Sequence, residues 1–562
     1  MSRADALIIW ICCGRTLNLT SLSSFKVQTS TMAANSRSSS RVLAPRTNTL
    51  HTPQAKLTTF LPTDNHSKKR HIRDETQSVK RRKLSGPVVS ESEDDDSDVD
   101  VYSEEEGVAM EDARIAQARA RRQVAFSLHT QFVSTAGNRC RRQAPSTLPI
   151  LQSFVSSHKS DVFKCQSIGE DTYLTPPYSC AYSHGSRRGG NPRLAVATEQ
   201  GTVHILNTQK RDNWDPEPQR ITLQQHQNGI FDVKWNLRDT SLATCSGDQS
   251  TRISSVETGV ITHVLRGHTS TVKCLVWDPT NESLLTTGGR DGAICLWDLR
   301  VGERHKREDT EFLVAAPVMT IHGAHEDTIV KSKPKPRKGK QVPTPRTITN
   351  VLYPDSQPYG LVSSASFDGI LRYWDLRQPA TTRKTKSGKK VLPTELYCSP
   401  VDPTTLHGSR RSRGIISLTC GTGPTAGLIF ALGADSRIHT YDLSTLTAQR
   451  TALEHENLQT NSFYVGVSVS PCGRWLGCGG SGTTGNSFLF DVENAARPMA
   501  IRQKGVELIG QKGEVGAVDW AQDMFATCTD DGTVRIWRPD IDTQRKCARQ
   551  PEESGWDWSW AT

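Results

Sequence analysis

Two residue patterns are missing from this 562-residue chain, and each absence excludes a class of protein. The 14 cysteines form no Cys-x-x-Cys pair and no Cys/His cluster, so the spacing of a zinc site or of a disulfide framework is absent. Residues 6–13 form an N-terminal apolar run that is too short to cross a bilayer and lacks a signal-peptide cleavage region. We therefore expect an intracellular protein with reduced cysteines, no metal, no cofactor and no membrane anchor.

Enzyme motifs are missing as well. The apolar part of the chain contains no nucleophile elbow, phosphate-binding loop or paired-carboxylate motif. An enzyme is therefore a poor interpretation, no small-molecule substrate is expected, and we expect the function to come from surfaces.

The apolar residues, 35% of the chain, are concentrated after about residue 148, and the net charge of +10 comes from local blocks. Before that point, too few aliphatic residues are present to offset the entropy cost of ordering the chain. We predict a mostly disordered arm at residues 1–147, a folded domain at residues 148–540 and a short tail at residues 541–562. The arm includes an acidic run at residues 91–100 and one short helix at residues 110–126. Translation could start at Met1 or at Met32, which opens a Ser-rich segment.

Two basic clusters in the arm are nine residues apart, which is the spacing of a bipartite nuclear import signal. Each cluster would fit an acidic site on one import receptor. The alternative is a plain solvated basic stretch. We expect an import receptor as a partner and the nucleus as the location. The clusters are Lys68, Lys69 and Arg70, and Lys80, Arg81, Arg82 and Lys83.

An internal repeat organises the folded domain. In its clearest unit, residues 266–300, Gly267-His268 precedes Trp297-Asp298 by about thirty residues. Between them lie three short β-rich runs separated by turn residues, as in one four-stranded propeller blade. Six further units repeat the pattern less clearly, and they end near residues 208, 259, 377, 443, 492 and 538. The sequence predicts an all-β protein, a seven-bladed WD40 β-propeller preceded by the long arm.

Within the clearest blade, His268, Asp291 and Trp297 are predicted to form a buried hydrogen-bonded set. Asp291 precedes the third strand, and Trp297 lies near the end of that strand. A His beside an Asp could also serve acid/base catalysis, but in this repeat the structural role is the commoner one. In the second blade we expect Ser255 and Val256 where Trp and Asp stand in the third.

Two basic insertions absorb the residues that exceed seven blades. Residues 331–346 are rich in Pro and Lys and are expected to loop out of the fourth blade, and residues 383–390 are expected to leave after it. These segments could contact acidic partners or DNA phosphates, or they could be mobile solvated loops. The sequence favours neither alternative.

Two consecutive blades end in the same tetrapeptide, Trp-Asp-Leu-Arg, at residues 297–300 and 374–377. Each arginine stands just beyond the third strand, where the narrower face of the ring presents its planar guanidinium for bidentate contacts. The pair resembles the substrate receptors that bind the damage-specific DNA-binding adaptor of cullin-four RING ubiquitin ligases, and the alternative is two ordinary blade ends. The adaptor-binding residues that this resemblance implies are Trp297, Asp298, Arg300, Trp374, Asp375 and Arg377.

Longer stretches of the propeller resemble the denticleless family, the S-phase substrate receptors of that ligase. They are residues 288–300, 366–379, 461–481 and 528–538, and the likeness as a whole covers about residues 148–540. The family is implied to deliver replication-coupled substrates, including the replication licensing factor, when they sit on the chromatin-bound sliding clamp. Animal relatives carry a long C-terminal tail, whereas this chain has a long N-terminal arm. No motif marks the residues that would read the substrate degron.

A short pattern in the arm resembles the sliding-clamp-interacting box, with Gln54, Leu57, Phe60 and Leu61 at its characteristic positions. One helical turn would set Leu57 and Phe60 on one face as a plug for an apolar pocket, and Gln54 would cap a neighbouring polar site. Because Leu61 stands where a second aromatic residue is usual, we expect weakened affinity. Such a tether would raise the effective concentration of a receptor on clamp-bound substrates. The pattern also arises by chance in long arms.

Three functions therefore compete. The leading hypothesis is a non-catalytic substrate-recognition subunit of a cullin-RING ubiquitin ligase. The second is a nuclear chromatin scaffold or histone-binding propeller that uses the central top pocket and needs no ligase. The third, a propeller enzyme, would require convergent His and carboxylate groups in the central channel.

Overall fold

The computed structural model describes residues 146–169, 172–307, 310–326, 345–354, 359–377, 395–406, 411–450, 452–462, 464–496 and 504–562. These residues form seven sheets, which are the blades of a β-propeller. The import signal, the clamp box, the acidic run and the helix predicted for the arm lie outside the described residues. So do the two basic insertions, apart from Pro345 and Arg346.

Short strands, almost all paired antiparallel, make up most of the regular secondary structure of the described residues, and four short α-helices and two 3₁₀ turns accompany them. The strands are β1 (Phe154–Ser157), β2 (Val162–Lys164), β3 (Pro177–Tyr182), β4 (Arg193–Thr198), β5 (Thr202–Asn207), β6 (Ile221–Gln224), β7 (Ile230–Trp235), β8 (Ser241–Ser246), β9 (Ser250–Ser255), β10 (Ile261–Arg266), β11 (Val272–Trp277), β12 (Leu284–Gly289), β13 (Ile294–Asp298), β14 (Glu303–Arg307), β15 (Thr310–Ala315), β16 (Met319–Ile321), β17 (Ile348–Leu352), β18 (Gly360–Ala365), β19 (Arg372–Asp375), β20 (Glu395–Cys398), β21 (Ile415–Cys420), β22 (Leu428–Gly433), β23 (Ile438–Asp442), β24 (Val467–Val469), β25 (Trp475–Cys478), β26 (Ser487–Asp491), β27 (Val506–Leu508), β28 (Val515–Trp520), β29 (Phe525–Thr529), β30 (Thr533–Pro539) and β31 (Trp558–Trp560). The helices are α1 (Leu148–Leu151), α2 (His184–Arg187), α3 (Ile541–Arg549) and α4 (Pro551–Ser554), with 3₁₀ turns at Pro403–Thr405 and Gly423–Thr425.

Most blades are built from consecutive strands. Blades 1 to 6 are β3–β6, β7–β10, β11–β13 with β16, β17–β20, β21–β23 and β24–β27. Blade 2 gains two more strands, because β15 pairs in parallel with β10 and β14 pairs with β15. The segment that joins the third and fourth strands of blade 3 therefore extends the neighbouring blade.

Blade 7 closes the ring with strands from both ends of the described chain. β28, β29 and β30 are its first three strands, and β1 and β2 both pair antiparallel with β30. β31 then pairs antiparallel with β1, and Ala561 bridges to Leu508 of blade 6. Residues 541–562, which the sequence analysis sets apart as a tail, thus contribute a strand to the last blade.

Tight turns set the strand order in each blade. Between β12 and β13, Asp291 is followed by Gly292, whose φ of +72° is in the left-handed region that glycine tolerates best. A Cβ at Gly292 would lie 3.0 Å from the Arg346 carbonyl oxygen, so the neighbouring blade also requires a glycine here. In the corresponding turns of blades 2 and 5, Gln249 and Ser436 adopt φ values of 67° and 61° at the cost of some backbone strain.

The core is divided among the seven seams of the ring. One hydrophobic cluster lies between each pair of neighbouring blades, from the seam of blades 1 and 2 round to the seam of blades 7 and 1. The largest side chains that are fully buried in these seams include Trp297, Trp520 and Trp537. Because each blade packs on both of its neighbours, the ring holds every blade end at a fixed position.

Two expectations from the sequence are wrong in detail. In blade 3, Trp297 pairs with Leu285, and the equivalent pair in blade 2 is Ser254 with Leu242. Ser254 and Ser255, rather than Ser255 and Val256, therefore stand where Trp and Asp stand in blade 3. The second basic insertion lies inside blade 4, since β20 follows it and pairs with β19.

Candidate docking face

The first and third strands of an antiparallel blade run in the same direction, so the third strands of all the blades end on one face of the ring. We call the face at which β13 and β19 end the bottom face. Arg300 and Arg377 follow these two strands directly, and both therefore lie on the bottom face. Blades 3 and 4, which carry them, are neighbours in the ring.

A buried hydrogen-bonded network fixes the end of β13. The Trp297 Nε1–H donates to Thr287 Oγ1 at 2.8 Å, and His268 Nε2 lies 2.8 Å from the same oxygen. His268 Nδ1 donates to Asp291 at 3.1 Å. Burial alone would lower the pKa of His268, but hydrogen bonds, led by the one to Asp291, raise it to about 9. The structure thus joins the three predicted residues through Thr287, whose place in the network no sequence pattern indicates.

Arg300 is exposed and is held by the aspartate of its own motif. Its Nε and NH2 groups donate to the two carboxylate oxygens of Asp298 at 2.9 and 2.7 Å. Its backbone N–H also donates to Asp298, at 3.0 Å. The hydrogen bond from Arg300 lowers the pKa of Asp298. With 64% of its side chain exposed, Arg300 presents its remaining N–H donors to solvent.

Arg377 is similarly exposed and is supported from within blade 4. Its backbone N–H donates to Asp375 at 2.9 Å, and its Nε lies 3.4 Å from the same carboxylate. Its guanidinium carbon lies 5.3 Å from the centre of the Tyr359 ring, which is a cation–π contact. The exposed fraction of its side chain, 61%, is close to that of Arg300.

The network behind Arg377 differs from the network behind Arg300. The Trp374 Nε1–H donates to Ser363 Oγ at 2.8 Å, and His325 Nε2 lies 2.9 Å from that oxygen. The carboxylate of Asp368 pairs with Arg346 at 3.2 Å instead of with the histidine. Burial, together with Arg372 and Arg346 nearby, lowers the pKa of His325 to about 3. This histidine is therefore neutral in the folded protein.

The other third strands do not end in an exposed Asp-Leu-Arg within the described residues. In blade 5 the Asp442 carboxylate accepts hydrogen bonds from Ser444. In blade 6 Asp491 accepts hydrogen bonds from the backbone N–H and the hydroxyl of Thr147, at 2.9 and 2.8 Å. In blade 7 the residue after the tryptophan is Arg538, which pairs with Asp161. Blades 3 and 4 thus share an exposed arginine that is held by the aspartate of its own motif, and this arginine distinguishes them from the other described blades.

A central cavity of about 860 Å³ runs through the ring between the first strands of the blades. At the mouth opposite the bottom face, Tyr178, Phe231 and Tyr464 stack in parallel with ring centres 4.6 to 6.1 Å apart. The Lys273 ammonium lies 3.7 Å from the centre of the Phe231 ring. We call this group the aromatic mouth. Its three rings come from different blades, so it becomes visible in the sequence only when the first strands are aligned.

Carboxylates inside the channel tie blades together. Asp519 of blade 7 accepts hydrogen bonds from the Tyr182 backbone N–H at 2.7 Å and from Ser468 Oγ at 2.8 Å. It also pairs with Arg187 at 2.7 Å. Burial alone would raise the pKa of Asp519, but Arg187 and these hydrogen bonds lower it. Asp519 therefore joins three neighbouring blades, 6, 7 and 1.

Comparisons with known proteins agree with this architecture. The family described as "WD domain, G-beta repeat" matches residues 217–253, 259–298 and 503–538. Denticleless protein homolog B of Xenopus laevis is 31% identical over 70% of this chain and 52% of its own length. The Homo sapiens denticleless protein homolog is 28% identical over 66% of this chain and 48% of its own length, and Protein lethal(2)denticleless of Drosophila melanogaster is 28% identical over 64% and 45%.

The repeats and the seven blades define this chain as a WD40-repeat β-propeller protein. Within that class its propeller is related to the denticleless homologues, which confirms the resemblance found in the sequence. The chain spans about half the length of the curated relatives it matches. Across the described ranges, no helix has the length and apolarity needed to cross a membrane. No group of three or more His, Cys, Asp or Glu side chains in those ranges could hold a metal ion.

Proposed function

We propose that this chain is the substrate-recognition subunit of a cullin-RING E3 ubiquitin ligase, and that it docks the damage-specific DNA-binding adaptor through Arg300 and Arg377. One observation carries the proposal. Two neighbouring third strands, β13 and β19, end in the same motif, and each presents an arginine that is more than 60% exposed and oriented by its own aspartate. A fixed, planar guanidinium is a strong anchor for carbonyl and carboxylate groups of a partner protein.

The surroundings of the two arginines suit a protein interface. Val301, next to Arg300, is 57% exposed, and Tyr359, under Arg377, is 50% exposed. Arginine and tyrosine are enriched among the residues that carry most of the binding energy at protein interfaces. The apolar surface beside the guanidiniums would be covered when the adaptor binds.

The similarity to the denticleless homologues supports a proposal for the substrates. We propose replication-coupled proteins bound to the sliding clamp, such as the replication licensing factor, with the clamp box at Gln54, Leu57, Phe60 and Leu61 as an additional tether. The import signal would place the receptor in the nucleus. If the bottom face holds the adaptor, the aromatic mouth stays free for the substrate.

Adaptor docking is tested with purified full-length protein and adaptor, comparing Arg300→Ala, Arg377→Ala and the double variant. Each single variant should weaken binding about thirtyfold, which is the loss of 2 kcal/mol for one interface anchor. The matched control is Arg238→Ala, an exposed arginine of the bottom face that pairs with Glu282 at 3.0 Å. That control should bind like the wild type. Unchanged binding by the double variant would exclude the docking assignment.

The clamp tether is tested separately by calorimetry with a peptide spanning residues 52–69. Binding to the sliding clamp should be measurable, and it should be lost in Leu57→Ala with Phe60→Ala. Identical behaviour of the two peptides would exclude the tether and leave adaptor docking untouched.

The import signal is tested by locating a fluorescent fusion before and after Lys80 to Lys83 are replaced by alanine, because nuclear accumulation should depend on them.

The second candidate function is a chromatin scaffold or histone-binding propeller, and the aromatic mouth is the observation that favours it. Aromatic side chains that line a pocket can bind a peptide or its cationic side chain. Such a scaffold would bind histone peptides through Tyr178, Phe231 and Tyr464 and would not need Arg300 or Arg377. Affinity purification from nuclear extract separates the two functions, since the ligase subunits should be recovered with the wild type and lost with the double arginine variant.

A further inference from the structure

The peptide group that joins Leu299 to Arg300 is held on both sides. Its N–H, which belongs to Arg300, donates to Asp298 at 3.0 Å. Its carbonyl, which belongs to Leu299, lies 3.2 Å from Nε2 of His263. His263 stands on β10, the fourth strand of blade 2, whereas Arg300 belongs to blade 3. The backbone from which the docking arginine projects is therefore held by a side chain of the neighbouring blade.

The chain beyond Arg300 is fastened to blade 2 as well. β15 runs parallel to β10 with Leu313 opposite His263, and β14 lies outside β15. Gly302 lies at the base of this hairpin, where a Cβ would be 3.0 Å from the Val314 carbonyl oxygen. His263 thus lies where the hairpin and the end of β13 meet.

The hydrogen bond to Leu299 requires one particular form of the imidazole. Burial lowers the pKa of His263, so the ring is neutral near pH 7 and carries a single N–H. Because a carbonyl only accepts, that proton must be on Nε2. Nδ1 is then an acceptor, and the Thr262 hydroxyl lies 3.0 Å from it. The Leu299 carbonyl thus selects the tautomer that holds the Arg300 backbone, and the single hydroxyl proton of Thr262 is shared between Nδ1 and the Ile253 carbonyl, which lies 3.1 Å from the hydroxyl.

We infer that His263 is a positioning residue for Arg300, so that blade 2 sets the place from which this docking arginine projects. The inference rests on the proposed function, since it concerns the same docking site. Arg377 depends on different contacts. The Leu376 N–H donates to the Tyr359 carbonyl at 2.8 Å and the guanidinium lies over the Tyr359 ring, both within blade 4. Loss of His263 should therefore affect the contribution of Arg300 alone.

The first experiment needs no adaptor. Hydrogen exchange of the full-length protein is followed by mass spectrometry on peptides that cover residues 296–303 and residues 372–377. In His263→Ala, the first peptide should exchange faster, because the Leu299 carbonyl loses its donor and the Arg300 N–H opens more often. The second peptide should exchange as in the wild type. In His263→Gln, whose amide can donate to the same carbonyl, the first peptide should regain part of its protection.

The second experiment measures adaptor affinity in a double-mutant cycle. His263→Ala should weaken binding about fivefold to tenfold, the equivalent of one hydrogen bond. His263→Ala should cause no further loss when Arg300 is already alanine, but it should add its full effect to Arg377→Ala. His263→Gln should recover most of the affinity. A general structural defect would instead add to both arginine variants alike.

Different results would contradict the positioning role of His263 and the proposed adaptor docking. If His263→Ala leaves the exchange of residues 296–303 unchanged, or if its loss of affinity adds fully to that of Arg300→Ala, the positioning role is wrong although docking can still hold. If Arg300→Ala alone binds the adaptor like the wild type, Arg300 is not an anchor and the positioning role is wrong, and if the double arginine variant also binds like the wild type, the proposed docking fails. Faster exchange in His263→Ala with non-additive affinities is the expected result.

Discussion

Blade 3 and blade 4 end in the same four residues, but different neighbours hold those residues in place. Behind Trp297, a histidine and an aspartate form a charged pair, and the histidine of the adjacent blade 2 holds the Arg300 backbone. Behind Trp374, the histidine is neutral, and the aspartate pairs with Arg346 instead. The comparison teaches that a short motif specifies which group is presented, whereas the surrounding blades decide how firmly it is held.

The largest loss of unfolding free energy is expected when either tryptophan is replaced by alanine, and the loss should be equal in the two blades. Trp297 is fully buried and Trp374 is 4% exposed, so either change to alanine leaves a large cavity at a blade seam. We expect each variant to lose about 3–5 kcal/mol of unfolding free energy. Urea denaturation measures both values. If Trp374→Ala keeps the unfolding free energy of the wild type, side chains are less tightly packed in blade 4 than in blade 3.

Replacing the histidine of each network should cost the two blades different amounts of stability. His268→Ala deprives Asp291 of its partner, at a cost of about 1–3 kcal/mol in unfolding free energy. His325→Ala should cost less, because Asp368 keeps its ion pair with Arg346. Thermal denaturation of both variants gives the order. A normal melting temperature for His268→Ala would show that its network does not stabilise blade 3.

Changing the pH should alter the contributions of His268 and His325 to stability in opposite directions. The pKa of His268 is raised from 6.5 to about 9 in the folded state, so its contribution to stability is complete below pH 6.5 and is lost as the pH rises through 9. The pKa of His325 is lowered from 6.5 to about 3, so the unfolded chain binds a proton first, and stability falls as the pH decreases below 6.5.

The pH effect is measured as the difference in unfolding free energy between the wild type and each alanine variant. The advantage over His268→Ala should shrink in alkali, and the advantage over His325→Ala should shrink in acid. Parallel pH curves for the two variants would contradict the assignment of a charged pair to blade 3 and a neutral histidine to blade 4.

The smallest effect on stability is expected for the arginines themselves. Arg300 and Arg377 are both exposed, so each change to alanine should alter the unfolding free energy by less than about 0.5 kcal/mol. Urea denaturation of the variants made for the adaptor test gives this value. A large loss at either position would mean that the arginine holds its blade together, and its effect on binding would then need another explanation.

Local features of the fold could be predicted from the sequence. The turn at Asp291 and Gly292, the buried Trp297 and the spacing of His268 are all set within one repeat, because the hydrogen-bond partners lie 10 to 23 residues apart in the same blade. The two exposed arginines were also placed correctly, because the position of a residue just beyond a strand follows from the strand itself.

Features that join distant parts of the chain could not be predicted. Three contacts join residues that are far apart in the sequence or in different blades: the pairing of β1 with β30, the hydrogen bonds from Thr147 to Asp491 and the support of Leu299 by His263. No periodicity or turn residue signals such a pairing, because it depends on the geometry of the closed ring. The shift of one residue in blade 2 has the same origin, since the register is fixed by the neighbouring strand.

The closure of blade 7 has a consequence for how the protein is made. β1 leaves the ribosome before any of the six blades that follow it, whereas β30 and β31, its two partners, are synthesised after all six. At ordinary elongation rates, that interval is roughly 20–75 seconds. During it, both edges of the open ring lack a pairing strand and are exposed to other chains. Ring closure therefore waits until β30 and β31 have emerged, and the nascent chain exposes unpaired strand edges to aggregation until then.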